Sequence, residues 1–357
     1  MAVHTHHITN EQIKNILQDS KVLDGNDEFT SSRITNGFCN PIYHIKMSSG
    51  NQYILKVTNP IWKKLKTRNE AIVLNFLHKY TSIPVPKVIS YSNTNELIGY
   101  EYILMTYVPG IPLSDVYDSL SFEERKPYLF QLVKIYVEMV NIDIRSTDMN
   151  KLGCFEKINE KDGAFEAVLC PNVDSLQGPH NNIYDYSCDY IKFRFPEMLQ
   201  SKYSHYVPKF EAIINSLREE QQKTVFDERV VLTHTDIAPK NVIIDPETKT
   251  VQALIDWEWS SLMVVDQDFE TMTLGGVWKG EQELVFLRET LSTLLGEQRM
   301  KTYQEQFEKR KNMNDAVSEA MVIVAYQDWY HGREHLLEQA EKDLERDVQD
   351  LFSRFDV

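Results

Sequence analysis

Cysteine is scarce in this 357-residue chain. Cys39, Cys154, Cys170 and Cys188 form neither a CxxC pair nor a regular spacing. That excludes a disulfide-stapled secreted module and a thiolate zinc site, and it is the pattern of a reducing, cytoplasmic setting. Long apolar runs are also missing. The longest toward the C-terminus is MVIVAY at 321–326, against the roughly 20 residues a membrane span needs. The start, MAVHTHHITNEQ, lacks the basic and apolar regions of a signal peptide, and His4, His6 and His7 read as a solvated tail. Basic residues are in the minority: 38 Lys and Arg against 53 Asp and Glu leave a net charge of −15. Such a field repels phosphate backbones and anionic lipids, so nucleic-acid and membrane partners are not expected, whereas cationic small molecules are attracted. Oligomeric state is not legible.

What the sequence does hold is ordinary globular composition, 42% hydrophobic and 25% charged, in a length that suggests two domains or lobes. A helical signal at 9–20 precedes a strand-rich zone. YHIKM (43–47) and QYILKVT (52–58) flank a hairpin connection at 48–51. TRNEAIVLNFLHKY (67–80) is helical, with Val73, Leu74 and Leu77 at helix spacing, and IPVP at 83–86 stops it. Strands are expected at 87–91 and 101–108. PGIPL at 109–113 reads as a crossing, after which the pattern turns helical: 122–142, 207–220, and a final amphipathic helix on Leu337, Leu344, Val348 and Leu351. Residues 150–190 are expected to be irregular.

The informative stretch is VLTHTDIAPKNVIIDPETKTVQALIDWEWS, 231–260. NVIID and VQALID are short apolar strands joined by a turn. Folding that hairpin near Thr248 brings Asn241 beside Asp256, and Asp236 lies five residues before Asn241 in a loop stiffened by Pro239. Two carboxylates and a carboxamide thus gather at one end. Magnesium takes hard oxygen ligands of this kind and shares its shell with phosphate. Asn241 and Asp256 would then be metal ligands, and Asp236 would be free to orient an acceptor hydroxyl. Taken singly, each is equally a turn former; the set is not explained that way.

HTDIAPKN followed by IDWE resembles the catalytic segment of the aminoglycoside phosphotransferase family, a branch of the protein-kinase-like fold that includes the choline kinases. That family usually reads H-G-D-x-x-x-x-N, then I-D-[WF]. The resemblance implies an α+β, two-lobed protein-kinase-like fold with a small antiparallel β-sheet lobe and a larger mainly helical lobe. Residues 1–108 would be the nucleotide-binding lobe, 105–111 the hinge, and 112–357 the catalytic and acceptor-binding lobe. It implies an ATP- and Mg²⁺-dependent phosphotransferase acting on a small-molecule hydroxyl, with Asp236 as catalytic base and Asn241 and Asp256 on the metal. Lys56 of YILKV matches the family's phosphate-bracing strand lysine, and Glu70 its helix partner. Gly37, Phe38, Cys39 and Asn40 resemble the turn over the nucleotide, and Met105, Tyr107 and Val108 the hinge that holds the base.

Two positions depart from the family: Thr235 replaces the usual glycine, and Lys240 stands where glycine is frequent. The segment after Asp256 lacks the activation-loop signals of protein kinases, so a small acceptor is expected over a protein one. Family and charge both lean toward a cationic amino-sugar or amino-alcohol, with Asp185, Asp189, Asp266, Asp268 and Glu270 as candidate contacts; Asp268 best matches a family position, and a structural role at the base of the loop is as good a reading of it. Trp257 and Trp259 read as packing residues. The alternative is a non-catalytic nucleotide-binding or interaction protein on the same fold, against which stand Lys56, Asp236, Asn241 and Asp256, all retained.

Overall fold

The computed structural model describes residues 7–24, 27–34, 40–58, 65–147, 151–173, 175–223, 229–265, 268–269, 278, 280–329 and 336–357. The first elements are α1 (Asn10–Asp19), β1 (Phe29–Ile34), β2 (Ile42–Met47), β3 (Gln52–Val57), α2 (Leu65–Tyr80), β4 (Val88–Ser92) and β5 (Tyr102–Thr106). The strands form one antiparallel sheet in the order β1-β2-β3-β5-β4.

Strand alternation divides the sheet's residues between two faces. Tyr43, Ile45, Leu55, Val57, Tyr102 and Leu104 pack on Ile13, Ile16 and Leu17 of α1. That helix starts at a reciprocal cap between Thr9 and Gln12. Ile54, Ile103 and Met105 point the other way and join Val73, Leu74 and Leu77 of α2 in the largest core. Lys56 belongs to this second face by register, opposite Ile103. Its aliphatic neighbours in sequence therefore fill one core while its ammonium is delivered to the other side.

The chain leaves the sheet through Tyr107–Gly110 and enters β6 (Ile111–Pro112). Gly110 has φ +139, and a Cβ there would run into the carbonyl oxygen of Ile244; only glycine lets the crossing pass this close. Next come α3 (Phe122–Asn141), β7 (Ile144–Ser146), β8 (Cys154–Lys161), β9 (Ala164–Cys170), α4 (Ile183–Leu199) and α5 (Val207–Lys223). The expected irregularity at 150–190 is therefore corrected. β8 and β9 form a hairpin, and β9 also pairs in parallel with β7. Its turn is Asp162-Gly163, both at positive φ, the backbone a two-residue type I′ connection requires.

The remaining elements are β10 (Val230–Thr233), β11 (Val242–Asp245), β12 (Thr250–Leu254), β13 (Ser261–Val264), α6 (Glu281–Leu295), α7 (Glu297–Trp329) and α8 (Leu337–Arg354). β10 pairs with β13, and β11 lies between β12 and β6. The result is the two-lobed α+β architecture, a small sheet lobe and a larger helical one. The main core runs from α2 through α3 to Trp257 and α6. A second core joins α4, α5, α7 and α8. Among the described residues, no helix is long and apolar enough to cross a membrane.

Candidate functional site

Lys56 sits where the two lobes meet. Its Nζ is 2.8 Å from Glu70 Oε2, 2.7 Å from Asp256 Oδ1 and 2.7 Å from Glu258 Oε2. Lys56 and Asp256 are 200 residues apart in sequence, so this contact ties the strand lobe to the helical one. Burial works against the Lys56 ammonium, but Asp256, Glu258 and Glu70 together hold its pKa well above lysine's usual value. Glu70 is pushed up to about 7, chiefly by burial, with Lys56 pulling the other way. Burial is the largest influence on Asp256 and pushes it up, yet the charge and hydrogen bond of Lys56, with Lys66 and His234, together bring it below the usual carboxylate range.

Glu70 reaches Lys56 because α2 presents one polar stripe toward the cleft. Lys66, Asn69 and Glu70 are all buried on it, at the i, i+3 and i+4 spacing of one helix face. Lys66 Nζ lies 2.8 Å from Glu258 Oε1. Asn69 Nδ2 donates to the carbonyl oxygens of Glu258 (3.2 Å) and Ser260 (2.7 Å), and Asn69 Oδ1 accepts from the Phe155 amide at 2.8 Å. Sequence reasoning missed Glu258, Lys66 and Asn69. The signals were a second acid two residues beyond Asp256, and a lysine four residues before Glu70.

The hairpin of β11 and β12 delivers Asn241 as its register dictates: the Ile255 amide donates to the Asn241 carbonyl at 2.9 Å. Asn241 Nδ2 donates to the Asp236 carbonyl (2.8 Å) and to Asp236 Oδ2 (3.0 Å), which leaves Asn241 Oδ1 as the acceptor end of that side chain. Lys240 Nζ lies 2.9 Å from the same Asp236 Oδ2. Lys240 does not merely point to water: it holds the loop carboxylate, although its side chain is 62% exposed.

His234 fastens the loop from beneath. Its Nδ1 accepts from the Asp236 amide at 3.2 Å, and its Nε2 donates to the Ile255 carbonyl at 3.0 Å. Burial lowers its pKa, which keeps the ring neutral and able to accept at one nitrogen while donating at the other. Thr235 has φ +68. A β-branched residue is strained there, and this is the physical reason the position suits glycine. Asp268 offsets the strain by accepting from the His234 amide at 2.6 Å and the Thr235 amide at 2.7 Å. Asp268 is fully buried, so it braces the loop and is not an acceptor contact.

The other sequence candidates divide. Asn40 is buried and donates to Glu258 Oε2 at 2.9 Å; Gly37, Phe38, Cys39, Asp266 and Glu270 lie outside the described residues. Met105 is buried on β5 opposite Ile54. Tyr107 is engaged by neighbours, its amide donating to the Gln52 carbonyl at 3.1 Å and its ring stacked on His44 at 4.4 Å. Val108 follows at the exit from the sheet, partly exposed. Asp185 accepts at its carboxylate from Asn182, the cap of α4, and Asp189 meets His180 at 3.3 Å. Trp257 is fully buried, its Nε1 donating to the Leu254 carbonyl at 2.8 Å.

One oxygen from each of Glu70, Asp256 and Glu258 lies within 4.8 Å of the others. These are hard donors, and Asp256 is the most open of them, its side chain 32% exposed against 3% and 4% for Glu70 and Glu258. All three oxygens surround the Lys56 ammonium; the hard donors that fit a magnesium ion shared with phosphate are the more open Asp256 and the acceptor end of Asn241.

The profile of the phosphotransferase enzyme family (APH) matches residues 30–303. A subtelomeric hrmA-associated cluster protein of Aspergillus fumigatus is 31% identical over 107 residues, 29% of this chain and 21% of that protein. Mouse acyl-CoA dehydrogenase family member 10 is 23% identical over 239 residues, 64% of this chain and 18% of that protein. The chain thus spans about a fifth of the length of the curated relatives it matches. A Ralstonia eutropha protein provisionally described as an aminoglycoside phosphotransferase superposes with a TM-score of 0.60 at 13% identity, covering 98% of this chain and 99% of that one. An aminoglycoside 2′-phosphotransferase in complex with GDP gives 0.58 at 13% identity, covering 97% and 99%. At these identities the structures show the fold alone.

Proposed function

The chain belongs to the phosphotransferase enzyme family, and from that premise we propose that it moves the γ-phosphoryl group of ATP to a hydroxyl of a small molecule. The observation that carries this reading is the buried Lys56, held between Glu70 of one lobe and Asp256 of the other. Such a lysine is anchored in position and charge before a nucleotide arrives. Residues 1–108 would bind the nucleotide, 105–111 would form the hinge at Met105, Tyr107 and Val108, and 112–357 would carry the catalytic loop and the acceptor. The turn at Gly37, Phe38, Cys39 and Asn40 would cover the phosphates.

Each group has a task. Lys56 braces the donor phosphates. Asp236 accepts the acceptor proton at the carboxylate oxygen that Lys240 and Asn241 leave open. Lys240, one salt bridge from that base, adds positive charge near the oxygen under attack. Asn241 Oδ1 and Asp256 would hold Mg²⁺, which would supply positive charge to the donor phosphates. Positioning and electrostatic stabilisation supply most of the acceleration, because phosphoryl transfer asks for little covalent chemistry from the protein.

For the acceptor we propose an amino-sugar or amino-alcohol. The net charge of −15 steers cations toward the molecule, and Asp185 and Asp189 on α4 offer carboxylates. A reducing, cytoplasmic setting suits Cys154, Cys170 and Cys188, which are buried thiols. The test is ADP release with Mg·ATP across alcohols, amino-sugars and nucleosides, with amino and deamino forms of one polyol compared at two ionic strengths. The amino form should be the better acceptor, and its advantage should shrink as salt rises. An uncharged analogue that is phosphorylated equally well would reject the cationic acceptor, and no turnover with any hydroxyl would reject the phosphotransferase.

A further inference from the structure

We infer that Lys66 is a positioning residue that frees Lys56 for the nucleotide, by holding the Glu258 carboxylate when Lys56 turns to phosphate. The inference rests on the phosphotransferase reading. It starts from an expensive feature: Lys66 is only 1% exposed, and a lysine at such depth is uncommon because burying an ammonium without a counter-charge is unfavourable. An apolar side chain would fill the same place on the helix.

The geometry shows where the charge is directed. Glu258 Oε2 is shared by Lys56 at 2.7 Å and Asn40 at 2.9 Å, while Oε1 faces Lys66 at 2.8 Å. Lys66 Nζ also lies over the Trp259 ring, 5.5 Å from its centroid. Asn69, three residues on, pins the backbone of Glu258 and Ser260 to the same helix. The Glu258 carboxylate is thus gripped from the α2 side independently of Lys56.

This matters because Lys56 already has three carboxylate partners, Glu70, Asp256 and Glu258. A phosphate oxygen can take the ammonium only at their expense. Breaking one arm of a buried ion pair is costly when it strands the other charge. With Lys66 and Asn40 in place, Glu258 stays compensated after Lys56 moves. Without Lys66, Lys56 is the only lysine paired with Glu258 among the described residues, and it is held back. Lys66 touches neither nucleotide nor acceptor in this account; it acts through Glu258.

The experiment is calorimetric titration of ATP in EDTA, which isolates the lysine–phosphate contact, with adenosine as the phosphate-free control. The full chain is compared with Lys66→Met, Glu258→Gln and the double variant. The ATP dissociation constant should rise about tenfold or more in Lys66→Met while that of adenosine stays within about twofold. In the Glu258→Gln background, removing Lys66 should change ATP affinity less than about twofold, because the carboxylate that needed compensation is gone. Wild-type ATP affinity in Lys66→Met, or equal loss of ATP and adenosine, overturns the inference. Should Lys66→Met fail to fold, the comparison of Glu258→Gln with the double variant decides alone: equal affinities support it, and a tenfold gap overturns it. A wild-type chain that binds no ATP would instead overturn the phosphotransferase reading, and the inference with it.

Discussion

Two groups of carboxylates are packed in this molecule, and they are built in opposite ways. In the cleft, Glu70, Asp256 and Glu258 come from α2 and from the segment after β12, and two buried lysines stand between them. In the helical lobe, Asp315 and Glu319 of α7 line one hollow with Asp347 and Asp350 of α8. Their cations are partly exposed arginines: Arg354 reaches Asp315 at 2.6 Å and Asp350 at 3.2 Å. The cleft group is compensated by two buried ammoniums, although burial still pushes Glu70 up to about 7. In the peripheral group burial, then the charges of Asp347 and Asp315, push Glu319 up to about 7, and the partly exposed Arg354 pulls the other way. Carboxylate density alone does not make a site. Buried counter-charges drawn from distant parts of the chain distinguish the first group from the second.

The largest expected effect belongs to the loop that faces the cleft group. Asp236→Asn should lower turnover by about 10²–10⁴-fold while ATP affinity stays near wild type, since a residue that orients and deprotonates the acceptor acts in the transition state. Steady-state kinetics and calorimetry run in parallel check both halves. Near-normal turnover would remove Asp236 from the mechanism.

Charge removal should then separate the two groups by sign. Lys56→Met leaves the buried Glu70 and Glu258 and the half-buried Asp256 with Lys66 as their remaining lysine, so it should cost about 3–5 kcal/mol of stability as well as activity. Glu319→Gln should do the reverse at high pH. The folded Glu319 binds its proton up to about 7, whereas an unfolded glutamate releases it near 4.3. The native state therefore holds more protons between those values, and stability falls as pH rises through that window. A glutamine does not titrate, so the variant should lose Glu319's share of this slope, keep that of Glu70, and exceed wild type at pH 8 by about 1 kcal/mol, a figure reduced for solvent screening. Urea unfolding at pH 5 and pH 8 measures both substitutions. A stabilised Lys56→Met, or a Glu319→Gln variant that keeps the wild-type pH slope, would erase the contrast.

How much of this was legible in the sequence depended on the range of each interaction. Asp236, Asn241 and Asp256 lie within 21 residues of one another, and one hairpin brings them together, so pattern reading reached them. Lys56 and Glu70 were legible through a strand–helix pair. Glu258 was not, because its role depends on α2 arriving from the other lobe with Lys66 and Asn69. The β8–β9 hairpin was legible and was passed over: Asp162-Gly163 is a type I′ signal, obscured by the glycines and prolines around it. Asp268 was legible as either a brace at the base of the loop or an acceptor contact; its bonds from two backbone amides decide for the brace, and such bonds leave no trace in residue spacing.

The smallest expected effect concerns local backbone strain. Thr235→Gly should relieve the positive-φ conformation, but it adds freedom to the unfolded chain and removes the 3.4 Å contact from Thr235 Oγ1 to the Trp259 carbonyl. The net change should be a stabilisation of no more than about 1 kcal/mol, read as a small rise in Tm with turnover retained. A marked loss of stability would mean that the threonine side chain, rather than the pair of amides held by Asp268, secures the loop.

The central claim is that the cleft group receives the charge of a metal-bound nucleotide. Titrating ATP with and without Mg²⁺ into the wild-type chain and into Asp256→Ala tests it most directly, because Asp256 is the most open carboxylate of the group and its truncation opens no large apolar cavity. Mg²⁺ should tighten ATP binding in the wild type, and that gain should be lost in a folded Asp256→Ala. An equal metal response in the two proteins would place the ion elsewhere and contradict the account.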